Sequence, residues 1–505
     1  MNLSDWIEKT AEAAPDRIAV RFAGDEVGYE ALAGRIRAAA QALEDDLSVQ
    51  RGDRVAHLGY NSLAMLVLLF ACARIGAIFT PLNWRLAPPE LAFILEDSGA
   101  RLLFAEPEFA EPVAATGEAA ANITRVSLGA APEGWLSWPT LMAARDSDHK
   151  PRGAGGDPVL LVYTSGTTGR PKGALLTQDA LYWNALNSAG MHELSDADHV
   201  LTVIPMFHVG GLNIQTLPVL HAGGTTTLHP RFDADAVLEA IERDRPTLCV
   251  LVPPMMAALL DHPRWETADL SSLRMVTTGS SIVPLPLIRG FHARGLPVIQ
   301  VYGSTETAPI ATCLARADAQ ARIGSAGRPA THCEVRLVNG DGGEVAPGQA
   351  GEILIRGPNL MREYWGDEAA TAEALRGGWF HSGDIGHLDA DGYLYVDERK
   401  GDMIISGGEN IYQAELEAVL ADCPQIAECA VVARPDERWG EVPVAVVAPR
   451  QGAEIDRKGV LGLFENRIAR FKHPKDVLFL AALPRNAMGK VQKYRLREIL
   501  GRNRR

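Results

Sequence analysis

Short apolar runs alternate with longer helical patterns over the first three hundred positions of the chain. The runs at 54–59 and 79–83 have the β-branched, apolar character of strands, and residues 62–77 between them have that of a buried helix. A further strand pattern follows at 100–106, and the same alternation returns between 247 and 303, beginning with a strand pattern at 247–254. Strand–helix alternation of this kind predicts layered α/β architecture with largely parallel sheets.

The pattern changes near Gly324, where short strands are joined by Asp-Gly, Gly-Gly and Pro-Gly turns. Such turns favour hairpins, so a small antiparallel β unit is expected over about 324–399. A compact α+β segment follows Gly401, with helical patterns at 413–422 and 459–471. Its strand patterns lie at 428–436 and 441–450.

A domain boundary is expected near Arg399–Asp402. A chain of 505 residues is too long for one ordinary domain. We therefore expect a large N-terminal domain, residues 1–399, made of layered α/β sheets with the small β unit at its end. Residues 400–505 would form a small C-terminal α+β domain.

Composition and charge narrow the classes of partner. The chain is 47% hydrophobic and 22% charged, which is typical of a globular protein with a substantial core. Its formal net charge is −14, which argues against general affinity for nucleic acid or anionic membrane surfaces. A local basic pocket for an anionic ligand remains compatible with that charge.

The chain has no pattern of a membrane-spanning or secreted protein. Its most apolar run, Leu63–Ala73, is shorter than the roughly 20 residues that a spanning helix needs. The N-terminal segment has acidic residues and lacks an apolar core, so we expect no signal peptide and a cytoplasmic location. Six scattered cysteines lack zinc-site spacing and are expected to be reduced thiols.

A loop suited to phosphate follows the apolar run Leu160–Tyr163. Residues 164–169, TSGTTG, combine hydroxyl groups with glycines whose backbone N–H groups can converge on an anion. Lys172 adds a positive charge. The stretch is not a Walker A motif, and on its own it is also compatible with a solvated linker.

The segment Tyr163–Gly173 resembles the phosphate-loop signature of the AMP-forming acyl-CoA synthetases, the adenylate-forming superfamily that includes acyl-CoA ligases, luciferases and adenylation domains. The family's other signatures resemble later segments, in order: PMFHVGG (205–211), VYGSTETAP (301–309), GEILIRGPNLMREYW (351–365), GWFHSGDIG (378–386), ERKGDMIISGGENIY (398–412) and PRNAMGKVQK (484–493). The resemblance covers essentially the whole chain.

The resemblance implies a two-step reaction that uses ATP, Mg²⁺ and coenzyme A. A carboxylate attacks the α-phosphorus of ATP to give acyl-AMP and pyrophosphate, and a thiol then displaces AMP. The first step brings an anion against a polyanion, so it needs charge neutralisation and in-line placement more than a protein nucleophile. The expected partners are a small-molecule carboxylic acid, ATP and CoA, and the sequence leaves a homodimer open.

Three residues are assigned to catalysis by this resemblance. Lys490 would stabilise charge as the adenylate forms, and Glu306 would coordinate Mg²⁺ together with Thr167. His208 would border the carboxylate and the path of the thiol, where it acts as a gate more than as a general base. Outside their motifs, these residue types are more often solvated or structural.

The resemblance also assigns the nucleotide contacts. Asp384 would accept both ribose hydroxyls, and Tyr302 would stack on adenine opposite residues 279–281. Ser382 stands where the family usually has Thr, a change that keeps the hydroxyl. The full expected set is Thr164, Ser165, Gly166, Thr167, Thr168, Gly169, Lys172, Gly279, Ser280, Ser281, Tyr302, Gly303, Thr305, Asp384 and Arg399.

The hinge motif departs from the family pattern. Relatives commonly have Asp-Arg-x-Lys/Asp-Asp, whereas this chain has Glu398-Arg399-Lys400-Gly401-Asp402. Gly401 at the pivot is physically reasonable because a pivot absorbs large φ/ψ changes. The resemblance implies that the C-terminal domain is mobile, so that Lys490 leaves after the first step and residues 406–410 help to form the thiol tunnel.

The expected acyl pocket favours a monocarboxylic acid with an apolar tail. The stretches 205–215 and 301–313 contain no Arg or Lys, and the far carboxylate of a dicarboxylic acid would be buried without a cation. The small side chains there suggest a roomy pocket, which suits a medium or long fatty acid or an aryl acid of the cinnamate type. The expected lining is His208, Val209, Gly210, Gly279, Val301, Gly303 and Ala308.

Two other functions fit the same residues less well. An enzyme that loads a carrier protein would share the first step, but no appended carrier domain is evident in the sequence. A non-catalytic nucleotide- or acyl-binding module would not need Lys490, Glu306, Asp384 and Lys172 to be intact. We therefore expect an ATP-dependent acid–CoA ligase.

Overall fold

The structure of the protein is a computed structural model that describes residues 1–143, 145, 147–164, 170–280, 283–399, 403–484 and 491–502. Of Glu398, Arg399 and Arg502, the backbone alone is described. The predicted fold class is confirmed: layered sheets and helices form a large N-terminal part, and a smaller α+β unit follows it.

The helices are numbered along the chain. They are α1 (Ser4–Ala13), α2 (Tyr29–Gln41), α3 (Leu63–Ile75), α4 (Pro88–Ser98), α5 (Ala110–Ala114), α6 (Trp138–Met142), α7 (Gln178–His192), α8 (Val209–Gly211), α9 (Leu217–His221), α10 (Ala234–Asp244), α11 (Pro253–Leu260), α12 (Leu285–Ala293), α13 (Glu368–Ala374), α14 (Gln413–Ala421), α15 (Arg457–Gly462) and α16 (Lys493–Arg502). The π-helical turns are Ala42–Asp46 and Leu212–Thr216, and the 3₁₀ turns are Pro107–Phe109, Gly117–Ala120, Thr305–Thr307, Arg316–Asp318, Arg376–Gly378 and Arg470–Lys472.

The strands follow the same convention. They are β1 (Ile18–Phe22), β2 (Asp25–Gly28), β3 (Arg54–Leu58), β4 (Ile78–Leu82), β5 (Leu102–Ala105), β6 (Thr124–Ser127), β7 (Leu136–Ser137), β8 (Pro158–Thr164), β9 (Lys172–Thr177), β10 (His199–Thr202), β11 (Thr225–Leu228), β12 (Leu248–Val250), β13 (Met275–Thr278), β14 (Val298–Tyr302), β15 (Thr312–Cys313), β16 (Arg328–Pro329), β17 (Glu334–Val338), β18 (Gly351–Arg356), β19 (Glu363–Tyr364), β20 (Phe380–Leu388), β21 (Leu394–Arg399), β22 (Met403–Ser406), β23 (Glu409–Tyr412), β24 (Ile426–Asp436), β25 (Gly440–Pro449) and β26 (Asp476–Phe479).

One large sheet has the strand order β16-β15-β14-β13-β12-β10-β11-β1-β2 within the described residues. Its central strands, from β14 to β1, pair in parallel, and β15, β16 and β2 pair antiparallel at the two ends. In register, Val250 faces Thr277 and Thr278 faces Gln300. The carboxyl ends of β10, β12, β13 and β14 therefore meet at one edge.

The second large sheet has the order β19-β9-β8-β4-β3-β5-β6-β7 in the part of the chain that the structure describes. Strands β8 to β7 pair in parallel, whereas β9 pairs antiparallel with β8 and β19 pairs antiparallel with β9. In the β8–β9 hairpin Thr164 faces Lys172, so these two residues stand at the mouth of the predicted phosphate loop.

Helix α3 is apolar on all sides because it is enclosed by α2 and by strands β4 and β8. The Ser62 hydroxyl accepts the N–H of Met65 at its start, and Gly76 ends it with φ of 77°. The predicted helix at 62–77 is thus confirmed as a core helix. No helix in the described ranges is long and apolar enough to cross a membrane.

The stretch 324–399 contributes to three sheets. Strands β17, β18, β20 and β21 form an antiparallel sheet of their own, whereas β16 and β19 extend the edges of the two large sheets. Because β19 pairs with β9, it joins this stretch to the β8–β9 hairpin.

The C-terminal unit consists of a sheet with the order β23-β22-β25-β24, with β26 parallel to β25. Helices α14 and α16 pack against β24, and α15 packs against β26. Apolar clusters on the two faces of this sheet give the unit a core of its own.

Two predicted elements were wrong in extent. The helix predicted at 459–471 ends at Gly462, where the backbone changes to tighter turns: Phe464 N–H donates to the Leu461 carbonyl and Glu465 N–H to that of Gly462. Asn466, with a left-handed φ of 59°, then prevents a return to α-helix. The strand predicted at 247–254 ends at Val250. Pro253 begins α11 instead, since proline is well suited to the first turn of a helix.

Candidate active site

A cavity of about 220 Å³ lies where the carboxyl edges of the two large sheets face each other. Segments that follow β10, β12, β13 and β14 line it from one sheet, and segments that follow β4 and β8 line it from the other. Connections at such edges can converge without disturbing strand pairing, which makes this the usual place for ligands in open α/β sheets. The C-terminal unit covers the cavity with its β22–β23 turn and with Phe471 and Lys472.

Apolar side chains from two connections and from one strand form part of the cavity wall. These are Ile204, Phe207, Val209 and Ile214 after β10, Val252 and Met255 after β12, and Val301 in β14. Gly210 and Gly211 lie in the same wall, but they differ in surroundings. A Cβ on Gly211 would be 2.2 Å from the carbonyl oxygen of Pro205, whereas a Cβ on Gly210 would meet only Ile214 and Ile204 side chains, at 3.8 and 3.9 Å.

Most of the predicted acyl residues lie in this wall. His208, Val209, Gly210, Val301 and Gly303 line the cavity. Gly279 and Ala308 are not among the described lining residues. Gly279 directly precedes Ser280, which does line the cavity, and Ala308 is fully buried with φ of 66°.

The loop after β14 holds Thr305 and Glu306 at the cavity. Gly303 is required there, since a Cβ on it would lie 1.8 Å from the carbonyl oxygen of Pro309. Glu306 is fixed from two sides: its Oε1 accepts the Tyr364 hydroxyl at 2.7 Å, and its backbone carbonyl accepts the Met361 N–H at 2.7 Å. The carboxylate is therefore aimed before any ligand binds.

Tyr364 also connects this loop to the phosphate hairpin. The ammonium of Lys172 lies 5.3 Å from the centre of the Tyr364 ring and 3.8 Å from Asp367. Tyr364 faces Ala174 in the pairing of β19 with β9. One short strand thus sets the distance between the predicted phosphate cation and the predicted metal ligand.

Asp384 and Tyr302 are brought together although they are far apart in sequence. The Tyr302 hydroxyl donates to the Asp384 carboxylate at 2.8 Å. The Asp384 N–H donates to Ser382, whose hydroxyl donates in turn to the carbonyl of Ile353 at 2.6 Å. Ser382 therefore supplies the anchoring hydroxyl at the position where it departs from the family pattern. The backbone of Arg399 faces Asp384 across β20 and β21.

Ser280 follows β13 at the edge where Tyr302 ends β14, so the structure brings these two predicted adenine contacts to one side of the cavity. Ser280 has φ of 69°, which is uncommon for a residue other than glycine. A Cβ on the preceding Gly279 would lie 2.7 Å from the Val301 carbonyl oxygen. This close approach of two backbones accounts for the glycine.

A buried carboxylate from the C-terminal unit closes the other side. Glu409 follows a two-residue turn in which Gly407 and Gly408 both have positive φ, as a tight hairpin requires. Its Oε1 accepts Arg85 Nη1 at 2.6 Å, and its Oε2 lies 3.1 Å from His208 Nε2. Burial raises the pKa of Glu409, but His208 and Arg85 more than offset this and hold the pKa at about 2.

Several predicted residues lie outside the described residues. They are Ser165, Gly166, Thr167, Thr168, Gly169, Ser281, Gly401 and Lys490, together with the side chain of Arg399. Their assignments stay predictions. Within the described residues, no group of three or more His, Cys, Asp and Glu side chains forms a metal site.

The sequence did not identify every residue at the cavity. Arg85 and Tyr364 were missed as individual contacts, and so were Val252, Met255 and Lys472. The sequence did contain a signal for Arg85, because this residue follows the buried strand β4, whose carboxyl end lies beside that of β8. Tyr364 lay within a recognised motif but depends on the pairing of β19, which two residues do not reveal.

Sequence profiles of two families match the chain. The profile of the AMP-binding enzymes matches residues 7–365, and the profile of the AMP-binding enzyme C-terminal domain matches residues 415–490. The described cavity residues lie within these two ranges, except for Gly407, Gly408, Glu409, Asn410 and Tyr412, which lie between them. The second match begins within α14, after the β22–β23 turn.

Two curated relatives resemble the chain along its whole length. The indoleacetate–CoA ligase of Aromatoleum aromaticum is 54% identical over 505 residues, which is 99% of each chain. The feruloyl-CoA synthase of an Amycolatopsis species is 45% identical over 500 residues, again 99% of each. Both names describe ligation of an aromatic acid to CoA.

Two solved structures of the o-succinylbenzoate CoA synthetase of Bacillus subtilis are also similar. A double mutant bound with a product analogue has a TM-score of 0.87 and 32% identity, covering 98% of both chains. The complex with the acyl-adenylate intermediate has a TM-score of 0.72 and 33% identity, covering 97% of both chains. The first of these structures is thus the closer in shape.

We predict that Gly303→Ala lowers acid-dependent ATP–pyrophosphate exchange by roughly 100-fold, since an added Cβ would displace the loop of Thr305 and Glu306 by about an ångström. Gly340→Ala is the matched control, because a Cβ there meets nothing within 4 Å. Circular dichroism checks that both variants fold. An unchanged exchange rate in folded Gly303→Ala would contradict the role given to this loop.

Proposed function

The chain belongs to the AMP-forming acyl-CoA synthetase family and is an acid–CoA ligase, and from this premise we propose that its acid is a monocarboxylic aryl acid. The observation that carries the proposal is the apolar, partly aromatic part of the cavity wall, together with two lining cations, Arg85 and Lys472, that are bound to protein carboxylates. The acid would be converted to acyl-AMP with release of pyrophosphate, and then to the CoA thioester with release of AMP.

The charges at the cavity support a single carboxylate in the substrate. Arg85 and Lys472 both line the cavity, which qualifies the expectation of an uncharged pocket. Each cation, however, is bound to protein carboxylates: Arg85 to Glu409, and Lys472 to Glu90 and Glu415. A second carboxylate on the substrate would therefore compete for occupied cations or stay unpaired, which is costly when buried.

The relatives support an aryl tail over a long alkyl tail. The indoleacetate–CoA ligase and the feruloyl-CoA synthase are named for planar ring acids and match this chain at 54% and 45% identity. The cavity wall after β10 is apolar, with Ile204, Val209 and Ile214. Phe207 adds an aromatic face to it.

The described residues fit a magnesium ion that is shared with ATP. Mg²⁺ is commonly held by one or two carboxylates together with substrate phosphates and water, and Glu306 supplies such a carboxylate beside the phosphate hairpin. Bound there, the ion would neutralise phosphate charge during the first step. Lys172 would hold phosphate from the hairpin, Tyr302 and Asp384 would bind adenine and ribose, and the loop of Thr305 would position the reacting groups.

We further propose that the domain arrangement in this structure is that of the second, thioester-forming step. It is more similar to the relative bound with a product analogue than to the same relative with an acyl-adenylate, with TM-scores of 0.87 and 0.72. The β22–β23 turn lines the cavity, whereas Leu483 and Val491, on either side of Lys490, pack on the sheet of the C-terminal unit. Lys490 would reach the cavity after a rotation at Gly401.

An acid panel tests the substrate class. The measured quantity is kcat/KM for pyrophosphate release, with ATP saturating and CoA present. The best of indole-3-acetate, ferulate and phenylacetate should exceed decanoate and 2-succinylbenzoate by roughly 100-fold. For 2-succinylbenzoate the reason is that a dicarboxylate leaves a charge unpaired. Thioester formation is confirmed by mass spectrometry. A preference for decanoate or for the dicarboxylate would contradict the proposal.

Gly210→Ala tests the shape of the wall. A Cβ there would meet Ile214 and Ile204 at ordinary contact distances, so the fold should tolerate it while the cavity narrows. We expect kcat/KM for indole-3-acetate to fall roughly 10-fold more than for phenylacetate, which has one ring fewer. Gly340→Ala again serves as the control, and equal effects on both acids would argue against Gly210 lying beside the acid.

Lys490→Ala should separate the two steps. Loss of the cation that stabilises the forming adenylate should lower pyrophosphate exchange by roughly 1000-fold. Transfer from supplied acyl-AMP to CoA should stay near the wild-type rate, since Lys490 would be away from the cavity in that step. Quenched-flow measurement of each half-reaction gives the comparison.

Lys493→Ala is the matched control for Lys490→Ala. Its ammonium lies 2.8 Å from Glu417 and 2.8 Å from Gln413, both within the C-terminal unit. A change there should leave the ratio of the two half-reactions unaltered. Equal losses of both steps in Lys490→Ala would overturn its assigned role.

A further inference from the structure

A buried ion triad joins the C-terminal unit to α4 of the N-terminal part. Lys472 Nζ donates to Glu90 Oε1 at 2.6 Å and to Glu415 Oε1 at 2.7 Å. The side chains of Lys472, Glu90 and Glu415 are only 5%, 8% and 10% exposed. Glu415 and Lys472 belong to the same unit, so Glu90 is the member that reaches across the domain boundary.

Glu90 makes a second contact across the boundary. Its Oε2 accepts the backbone N–H of Ala469 at 2.7 Å. Ala469 directly precedes a 3₁₀ turn that ends at Lys472, and the Lys472 N–H donates to the Ala469 carbonyl at 2.9 Å. The Glu90 carboxylate thus fixes both the position and the orientation of this turn, whereas a single ion pair would allow the turn to rotate.

Glu90 is oriented by its own helix. Its Oε2 also accepts the N–H of Ala87 at 2.8 Å, which is the glutamate half of a capping box at the start of α4. This contact lies wholly within the N-terminal part and does not depend on the C-terminal unit. The side chain is therefore held ready for Lys472, so little side-chain entropy is lost when the domains meet.

The charge balance makes the contact specific. Two carboxylates share one ammonium. Burial and the negative charge of Glu90 together raise the pKa of Glu415 to about 7, although Lys472 opposes this rise. Lys472 stays charged, since the two carboxylates raise its pKa despite burial. A buried charge that loses its partner is costly, so the interface favours the arrangement in which all three groups meet.

The triad lies next to the residues that close the cavity. Lys472 and Phe471 themselves line it, and Arg85, which binds Glu409 of the β22–β23 turn, stands five residues before Glu90. Both cross-boundary contacts thus come from the short segment between β4 and the first turn of α4. The contact at Glu90 fixes the turn of Phe471, while the contact at Arg85 fixes the turn of Gly407 and Gly408.

We propose that Glu90 is a positioning residue for the thioester-forming step. It does not touch the reacting atoms. By holding Lys472 and the Ala469 N–H, it keeps the C-terminal unit in the orientation in which the cavity is closed by the β22–β23 turn. This inference rests on the proposed domain rotation, and it adds a named contact that favours one of the two orientations.

Glu90→Gln tests the role with a minimal change of shape. The variant keeps an acceptor for Ala87 but loses the charge that binds Lys472, while Lys472 retains Glu415. Transfer from supplied acyl-AMP to CoA should slow by roughly 10- to 100-fold, as expected for loss of a charge-assisted hydrogen bond. Acid-dependent pyrophosphate exchange should keep the wild-type rate, because that step would use the other orientation.

Glu96→Gln is the matched control, since Glu96 is an exposed glutamate on the same helix. It should change neither half-reaction. Glu90→Asp keeps the charge on a shorter side chain and should recover part of the transfer rate lost in Glu90→Gln. If Glu90→Gln fails to fold by circular dichroism, Glu90→Asp gives the test by itself: transfer should slow while exchange keeps the wild-type rate.

The outcomes distinguish this inference from the proposals on which it rests. Equal losses of exchange and transfer, or no loss of transfer, in the folded variant would overturn the role of Glu90. Failure of every aryl acid to support exchange in the wild-type protein would instead overturn the proposed substrate class. If the Lys490→Ala variant kept the wild-type rate of pyrophosphate exchange, the proposed domain rotation would be overturned.

Discussion

The site depends on one geometric constraint: parallel strands end together. The carboxyl ends of β10, β12, β13 and β14 meet at one edge, and those of β4 and β8 meet at another that faces it. Loops at these two edges can differ in length and chemistry without disturbing the ladders that carry them. The residues of the apolar wall, Glu306 and the two ends of the phosphate hairpin all lie in or beside such loops. The sheets therefore fix the distances between them.

Much of this could be predicted from the sequence, for identifiable reasons. The alternation of strand and helix patterns located α3 and the strands around it, because a helix enclosed on all sides must be apolar throughout. Glu306, Asp384 and Lys172 were assigned through motifs whose residue order is itself informative, and their roles stay predictions. The placement of Gly210 and Val301 in the acyl wall followed from the same motifs.

The rest could not be predicted, because it depends on contacts between distant segments. Nothing local to Tyr364 indicates that its hydroxyl would hold Glu306, since that contact needs the pairing of β19 with β9. Helix α15 ended at Gly462 although the apolar pattern continued, and the left-handed Asn466 lies within that continued pattern. Lys472 and Glu90 are hundreds of residues apart, and only the packing of two domains brings their charges together.

The segment that begins at Arg85 and ends at Glu90 has a consequence for how such an enzyme can diverge. Its two charged side chains contact the C-terminal unit, whereas the residues that shape the acid's surroundings lie mainly after β10 and β14. On the proposed roles, this segment bears on the charge of the acid and on the placement of the C-terminal unit, whereas the shape of the acid depends on the other stretches. A substitution after β10 or β14 can then change the shape of the acid that fits while the contacts that hold the C-terminal unit stay in place.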